Sequence, residues 1–408
     1  MKRETGAKPV RTRRCEEELF SDIPLVNPGK VEKSWEPKSE DLPQKVPEGD
    51  GKVLGSFLWV EDFLFWKNQK KEEHNMFILV IGGTKLSTTP GLSVAGSNPQ
   101  LVPYTAPADA DVILLGKPKV IDALPVDPEG HPTPAIISHA SYLEANFPVM
   151  IVKAGTFLPP TVPYIETHAQ VGKDPQQEKA VPEASFLFQK GKLIGQELSK
   201  TQPVMVLAES LPGGTTTAFC VLRALGYDGM VSSASPQNPT HLKEEVWQKV
   251  SLYHGLKPGS LRGKGLEAVE ITGDPMQVVV AGMVAGCQPE TKIVLAGGTQ
   301  MLAVAGVLRN MGYQQPLTVA TTRYIIEDQS AHFEKIANQV KVKTYIAPLN
   351  FSSSPFPGLS DYEKGFVKEG VGAGGAVWYA NQKGISTEQV IARVEKLYQD
   401  LIAPTSSN

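Results

Sequence analysis

Cysteine is nearly missing from this chain: three in 408 residues, Cys15, Cys220 and Cys287. An odd number so widely spaced makes neither a disulfide framework nor a C-x-x-C metal knuckle. Cys220 and Cys287 sit in the apolar strings Ala218-Phe219-Cys220-Val221 and Val284-Ala285-Gly286-Cys287, so they read as buried, inert thiols. Long apolar runs are lacking too, none reaching the ~18 residues of a membrane span. The basic stretch from Met1 to Arg14 has no apolar core and does not read as a secretory signal. A reducing, cytoplasmic setting follows, with no membrane partner. Nor is there an excess of one charge: 40 Lys+Arg against 43 Asp+Glu leave -3, which gives no basic face for nucleic acid.

Several catalytic signatures are also absent. No Walker A loop is present, which counts against a nucleoside triphosphatase, and no G-x-S-x-G elbow, which counts against an α/β-hydrolase. The seven histidines include no H-x-x-x-H pair, so no metal site is called. His139 and His168, in Pro-rich stretches, read as core or loop histidines. Gly370-Val371-Gly372-Ala373-Gly374-Gly375 matches G-x-G-x-x-G as a string, but Asp361–Lys368 before it reads as helix or loop. A dinucleotide site needs a strand there.

What is present has a boundary. Residues 1–75 hold 14 Lys/Arg and 15 Asp/Glu and lack periodicity, apart from the aromatic patch Val53–Trp66. Such a segment cannot offset its ordering entropy by burial. It reads as an extension outside the functional fold, with Met76 as an alternative start, and 76–408 as the functional domain. From Met76 onward, apolar runs alternate with amphipathic stretches. The runs are Met76–Ile81, Val112–Leu115, Val149–Val152, Val204–Ala208, Ile293–Ala296, Leu317–Ala320 and Thr344–Ala347. They lack polar alternation, as strands covered on both faces do. Helix-length segments lie at Phe186–Ser199, Thr217–Leu225, Pro239–Tyr253, Pro275–Ala285, Thr299–Met311 and Thr387–Ile402. The succession predicts an α/β fold with a mainly parallel sheet and right-handed crossovers. The Pro-rich stretches 99–134 and 155–183 read as loops and a smaller, less regular part.

Gly-Gly-Thr recurs after apolar runs, at Gly82–Thr84, Gly213–Thr215 and Gly297–Thr299. The last two lead into helices with like endings, Leu222-Arg223-Ala224-Leu225-Gly226-Tyr227 and Leu308-Arg309-Asn310-Met311-Gly312-Tyr313. One reading is re-use of the same caps. The other is that these turns present backbone N–H groups to an anion such as phosphate at the carboxyl edge of the sheet. Two carboxylates stand beside glycines. Glu209 opens Ser210-Leu211-Pro212-Gly213-Gly214-Thr215-Thr216, where it meets a sugar or base, or caps its own turn. Glu369 precedes Gly370–Gly375, as a general base if desolvated or as a solvated loop residue otherwise.

Taken in order, these pieces resemble the nicotinate-nucleotide:dimethylbenzimidazole phosphoribosyltransferases, in a divergent branch, over roughly residues 76–380. Glu209–Thr216 is similar to the family's Glu-x-Gly-x-Gly-Asn-Thr-Thr. Gly273-Asp274-Pro275-Met276-Gln277 stands at its Gly-Gly-x-Glu-Ile turn, and Ile293–Gly298 at its strand ending in Asp-Gly-Phe. Glu369-Gly370-Val371-Gly372-Ala373 matches Glu-Gly-x-Gly-Ala, whose Glu is the catalytic base. Leu211 replaces a family Gly, Gly214 an Asn, Gly298 and Thr299 a Phe and its neighbour, and an early Asp-His-Gly run is missing. The resemblance implies transfer of phosphoribose from nicotinate mononucleotide to an aromatic base, releasing nicotinate, in cobalamin lower-ligand synthesis. It implies Glu369 as base, with Glu209, Gly213, Gly214, Thr215, Thr216, Gly297, Gly298, Gly370 and Gly372 binding substrate, and no cofactor. It also implies a large doubly wound α/β domain with a smaller helical domain assembled from both ends of the region, and a homodimer. The alternative is a non-catalytic binder of a nucleotide or corrinoid precursor.

Overall fold

A computed structural model describes residues 75–93, 99–123 and 125–403. Apart from Asn75, the readings made of residues 1–75, Cys15 and the aromatic patch included, lie outside the described residues. Among the described residues seven strands are present: β1 (Met76–Gly82), β2 (Val149–Ala154), β3 (Ile165–Glu166), β4 (Val204–Ser210), β5 (Lys292–Ala296), β6 (Leu317–Thr322) and β7 (Lys343–Ala347). They form one sheet in the order β3-β2-β1-β4-β5-β6-β7, every neighbouring pair parallel. The order reverses between β1 and β4, which opens a crevice at the carboxyl edge of such a sheet.

Helices α1 (Val102–Leu115) and α2 (Ala135–Ala145) join β1 to β2, and α3 (Ala184–Leu198) precedes β4. Between β4 and β5 run α4 (Gly214–Leu225), α5 (Thr240–His254), α6 (Gly265–Thr272) and α7 (Pro275–Gly286). Then come α8 (Thr299–Asn310), α9 (Arg323–Ile326) and α10 (Phe333–Val340). After β7 follow α11 (Pro357–Ser360), α12 (Ala373–Gln382) and α13 (Thr387–Ile402). None of the described helices is long and apolar enough to cross a membrane.

The two-residue period of a strand divides the core. Ile78 and Val80 of β1 pack into a cluster with α3 to α8 and α10, while Phe77, Leu79 and Ile81 face α1 and α12. A third cluster gathers α2, α12 and α13 around Tyr362, Leu349 and Val394. The α13 boundaries are those read from the sequence, and Ser386 with Gln389 forms a capping box at its start. The like helix endings are real caps. Gly226 and Gly312 have φ of 85° and 87°, and the N–H groups of Tyr227 and Tyr313 reach back to the carbonyls of Leu222 and Leu308.

One expected strand is a helix. Val112–Leu115 is the last turn of α1, where Val112 and Ile113 are buried, and a four-residue apolar run cannot by itself distinguish the two. The Pro-rich stretch 99–134 likewise holds a 14-residue helix. Pro103 stands in its first turn, where an N–H has no partner to lose, and Pro107 removes only the bond to the Pro103 carbonyl. The short β3 lies in the second Pro-rich stretch, where the sequence predicts loop.

Helices α3 and α7 meet backbone to backbone. A methyl group on Gly195 would lie 2.0 Å from the Met283 carbonyl oxygen, and one on Gly191 2.3 Å from that of Val279. Neither neighbour is a flexible side-chain end that could turn aside. Gly195→Ala is therefore expected to destabilise the protein by about 1–3 kcal/mol through overpacking, read as a lower urea midpoint at unchanged slope.

Candidate functional site

At the carboxyl edge of the sheet lies a cavity of about 260 Å³. Its walls are the turn after β4, the start of α8, the segment Ser232–Ser235, one face of α1 and the stretch Glu369–Val371. Strand β4 extends two residues past the expected end, so Glu209 is inside it, paired with Val80 of β1, and 2% exposed. The chain then turns through Gly213, whose φ of 79° suits glycine and where a methyl group would meet the Ser87 Cα at 3.0 Å. Gly213 caps α4. The N–H of Gly214 donates to the Leu211 carbonyl and that of Thr216 to the Gly213 carbonyl. No Lys or Arg lines the cavity among the described residues.

Glu369 is reached by an unusual path. Lys368 N–H donates to the Phe366 carbonyl and Glu369 N–H to the Val367 carbonyl, two three-residue turns in succession. Val367 and Lys368 have φ of 61° and 52°, and Val371 beyond has 53°. Such angles in β-branched residues hold about 1–3 kcal/mol of strain each. The result is a carboxylate set among main-chain amides. Oε2 accepts from Thr322 N–H at 2.8 Å and Gly374 N–H at 3.3 Å, and Oε1 from Gly370 N–H at 3.1 Å. The side chain is partly exposed to the cavity it lines, yet burial pushes its acid up to about 7, against those lowering hydrogen bonds.

The two glutamates face one cavity across the turn after β5. A methyl on Gly297 would lie 3.3 Å from Glu209 Oε1, and one on Gly298 3.7 Å from Glu369 Cγ. Burial first, then the charges of Glu369, Asp274 and Asp109, hold Glu209 well above the usual carboxylate range. Asp274, which accepts from Thr217 Oγ1 and Gln277 N–H, is pushed up to about 6 by burial.

Asp109 is a site residue that the sequence reading misses. It lies on α1, lines the cavity and accepts from Thr133 Oγ1 and Ser210 Oγ, each at 2.7 Å; burial raises it to about 6. Its signal was a helical spacing, Leu101, Tyr104, Thr105, Ala108 and Asp109, all turned to the cavity. That period was lost once the stretch was read as loop. Ser232–Ser235 also escaped notice. Lys368 Nζ holds this wall from behind through the carbonyls of Ser233 and Ser235 and an ion pair with Asp328 at 3.1 Å. Lys243 holds the Ser232 carbonyl, and burial brings its ammonium down to about 7.

Of the residues named from the sequence, Glu209, Gly213, Gly214, Thr215, Gly298, Glu369 and Gly370 line the cavity. Thr216, Gly297 and Gly372 stand behind its lining. Gly372, with φ of 66°, lies against Ala208 Cβ, and Gly375 against Ala296. The glycine run thus approaches the sheet rather than a ligand. It follows the 3-10 turn Asp361–Lys364 and no strand, which removes the dinucleotide reading. His139 is a core residue on the Ile113 carbonyl, and His168 is an exposed loop residue. Burial pushes the thiols of Cys220 and Cys287 up to about 12, as inert side chains require. Asp127, Glu129 and His131 bring ligand atoms within 4.8 Å of one another. Both ring nitrogens of His131 are already engaged, by Asp127 at 2.7 Å and Asp361 at 3.2 Å, so this cluster pins a loop.

No family model matches the chain. It is 50% identical over 331 residues to a UPF0284 protein of Pyrococcus furiosus, covering 81% of this chain and 99% of that one. A UPF0284 protein of Archaeoglobus fulgidus is 39% identical over 334 residues, covering 80% and 94%. The chain belongs to the UPF0284 family. Among solved structures it is similar to the nicotinate-nucleotide-dimethylbenzimidazole phosphoribosyltransferase of Thermus thermophilus, with a TM-score of 0.52 at 14% identity, over 80% of this chain and 83% of that one. A structure of CobT from the same organism gives 0.52 at 15%, over 80% and 84%. The α/β fold with its seven-stranded parallel sheet is CobT-like.

The raised pKa of Glu209 has a consequence for stability. An unfolded glutamate ionises near 4.5, so above that pH the unfolded chain loses a proton that the folded chain keeps, and stability falls. Glu209→Gln lacks this loss. Its stability relative to the natural protein is expected to rise from pH 5 to pH 8, read as the difference between urea midpoints; a constant difference would contradict the assignment.

Proposed function

We propose that this UPF0284 protein moves phosphoribose from nicotinate mononucleotide to a ring nitrogen of an aromatic base, releasing nicotinate, in cobalamin lower-ligand synthesis. The observation that carries the reading is Glu209 and Glu369 on one cavity, either side of Gly297–Gly298, in a CobT-like fold. In this reaction the C1′–N bond of the pyridinium nucleotide breaks and its electron pair stays on the ring nitrogen. Nicotinate leaves neutral at that nitrogen and needs no acid. A lone pair of the incoming base forms the new C1′–N bond, and the ring N–H proton passes to Glu369. A carboxyl near 7 is matched to that task at neutral pH. Positive charge developing on the ribose would meet the surrounding carboxylates, held in place beforehand.

With no Lys or Arg in the lining among the described residues, the 5′-phosphate falls to main-chain N–H groups at the starts of α4 and α8. That same lack favours the second reading, a binder of a nucleotide or corrinoid precursor without turnover. The test is nicotinate release from nicotinate mononucleotide with a panel of bases. Turnover is expected, and Glu369→Gln is expected to lower kcat by about a hundredfold or more, as loss of a general base does. Saturable binding by calorimetry with no release for any base would favour the second reading.

A further inference from the structure

The face of α1 gives the cavity a chemistry of its own. Tyr104, Ala108, Ile121 and Val126 all line it, apolar surface of the kind that meets a flat ring. The far wall is fixed by Asp111, whose carboxylate accepts from the N–H groups of Lys119, Val120 and Thr161. Among the polar groups that border this apolar surface are two on the same face of α1. One belongs to Asp109, 5% exposed, where each carboxylate oxygen accepts one hydroxyl and keeps lone-pair capacity for another donor. The other is Thr105 Oγ1, one turn earlier on the same face, buried and without a hydrogen-bond partner. A ring edged only with methyl groups would desolvate both and satisfy neither.

We propose that this slot is the acceptor subsite and that its proper occupant is a fused bicyclic heterocycle whose six-membered ring carries a hydrogen-bond donor, received by Asp109 with Thr105. The inference rests on the phosphoribosyl-transfer reading and narrows its acceptor. A site built around buried polar groups discriminates against an isostere that leaves them unpaired far more strongly than an apolar pocket does against an added group.

The test compares 5-aminobenzimidazole with 5-methylbenzimidazole, equal in size and different in the donor, on the full chain with nicotinate mononucleotide. The amino compound is expected to have a kcat/KM higher by roughly tenfold or more. Asp109→Asn and the isosteric Thr105→Val should each shrink that ratio, and Thr105→Val should leave the KM for nicotinate mononucleotide in place. Equal or reversed preference, or variants that raise the KM of the nucleotide and leave the ratio intact, would overturn the proposal while the transfer reaction stands. Should neither base release nicotinate, the transfer reading fails. Calorimetry with the two bases then decides the slot: a tenfold tighter amino compound supports the assignment, and equal affinity defeats it.

Discussion

The site depends on one contact of main chain with main chain: helix α12 lies directly on the ends of β4, β5 and β6. Gly372, Gly374 and Gly375 permit it, since a methyl on any of them would meet Ala208, the Thr321 backbone or Ala296 at 2.2–2.5 Å. The same seating brings the Gly374 N–H beside the Thr322 N–H, and Glu369 takes both. Core packing and the placing of an acid are here one event. A bulkier helix start would move the amides off the strand end and leave the carboxylate without its setting.

Around that acid the balance of charge is uneven. Four carboxyl groups, Asp109, Glu209, Asp274 and Glu369, are crowded near one cavity with their pKa values raised, and among the described residues no Lys or Arg lines it. Lys243 and Lys368 are close by, yet both point to the back of the serine segment and bind carbonyls. Their work is to hold a wall. The cavity itself is suited to cationic or proton-bearing chemistry, which a pyridinium nucleotide and a ring N–H both supply.

Much of this was legible in the string because buried parallel strands leave an unmistakable mark. Six of the seven strands stand where apolar runs of Val, Ile, Leu and Ala occur, and helix ends stand where Gly follows Arg by three residues. Glu209 and Glu369 could be singled out because each adjoins a glycine turn. Other parts left no local mark. The helix with Asp109 is masked by Pro103 and Pro107, and Val112–Leu115 looks the same in a strand or a helix. The glycines after Glu369 looked available to a ligand, because nothing in their own stretch says that a sheet lies beneath them. Thr133 and Ser210 meet Asp109 from 24 and 101 residues away, a convergence that only the folded chain displays.

The paired tight turns before Glu369 set a direction for change at this corner. Val367, Lys368 and Val371 adopt angles that glycine would accept with ease. Exchange for glycine would relieve strain, and the relaxed loop would then wander among several poses. Valine favours extended angles, so it is the surrounding contacts that hold it at a positive φ and in a single pose. Relief of strain and exactness of aim are thus opposed at this corner, and the strained angles are the form in which the geometry that the acid requires is kept.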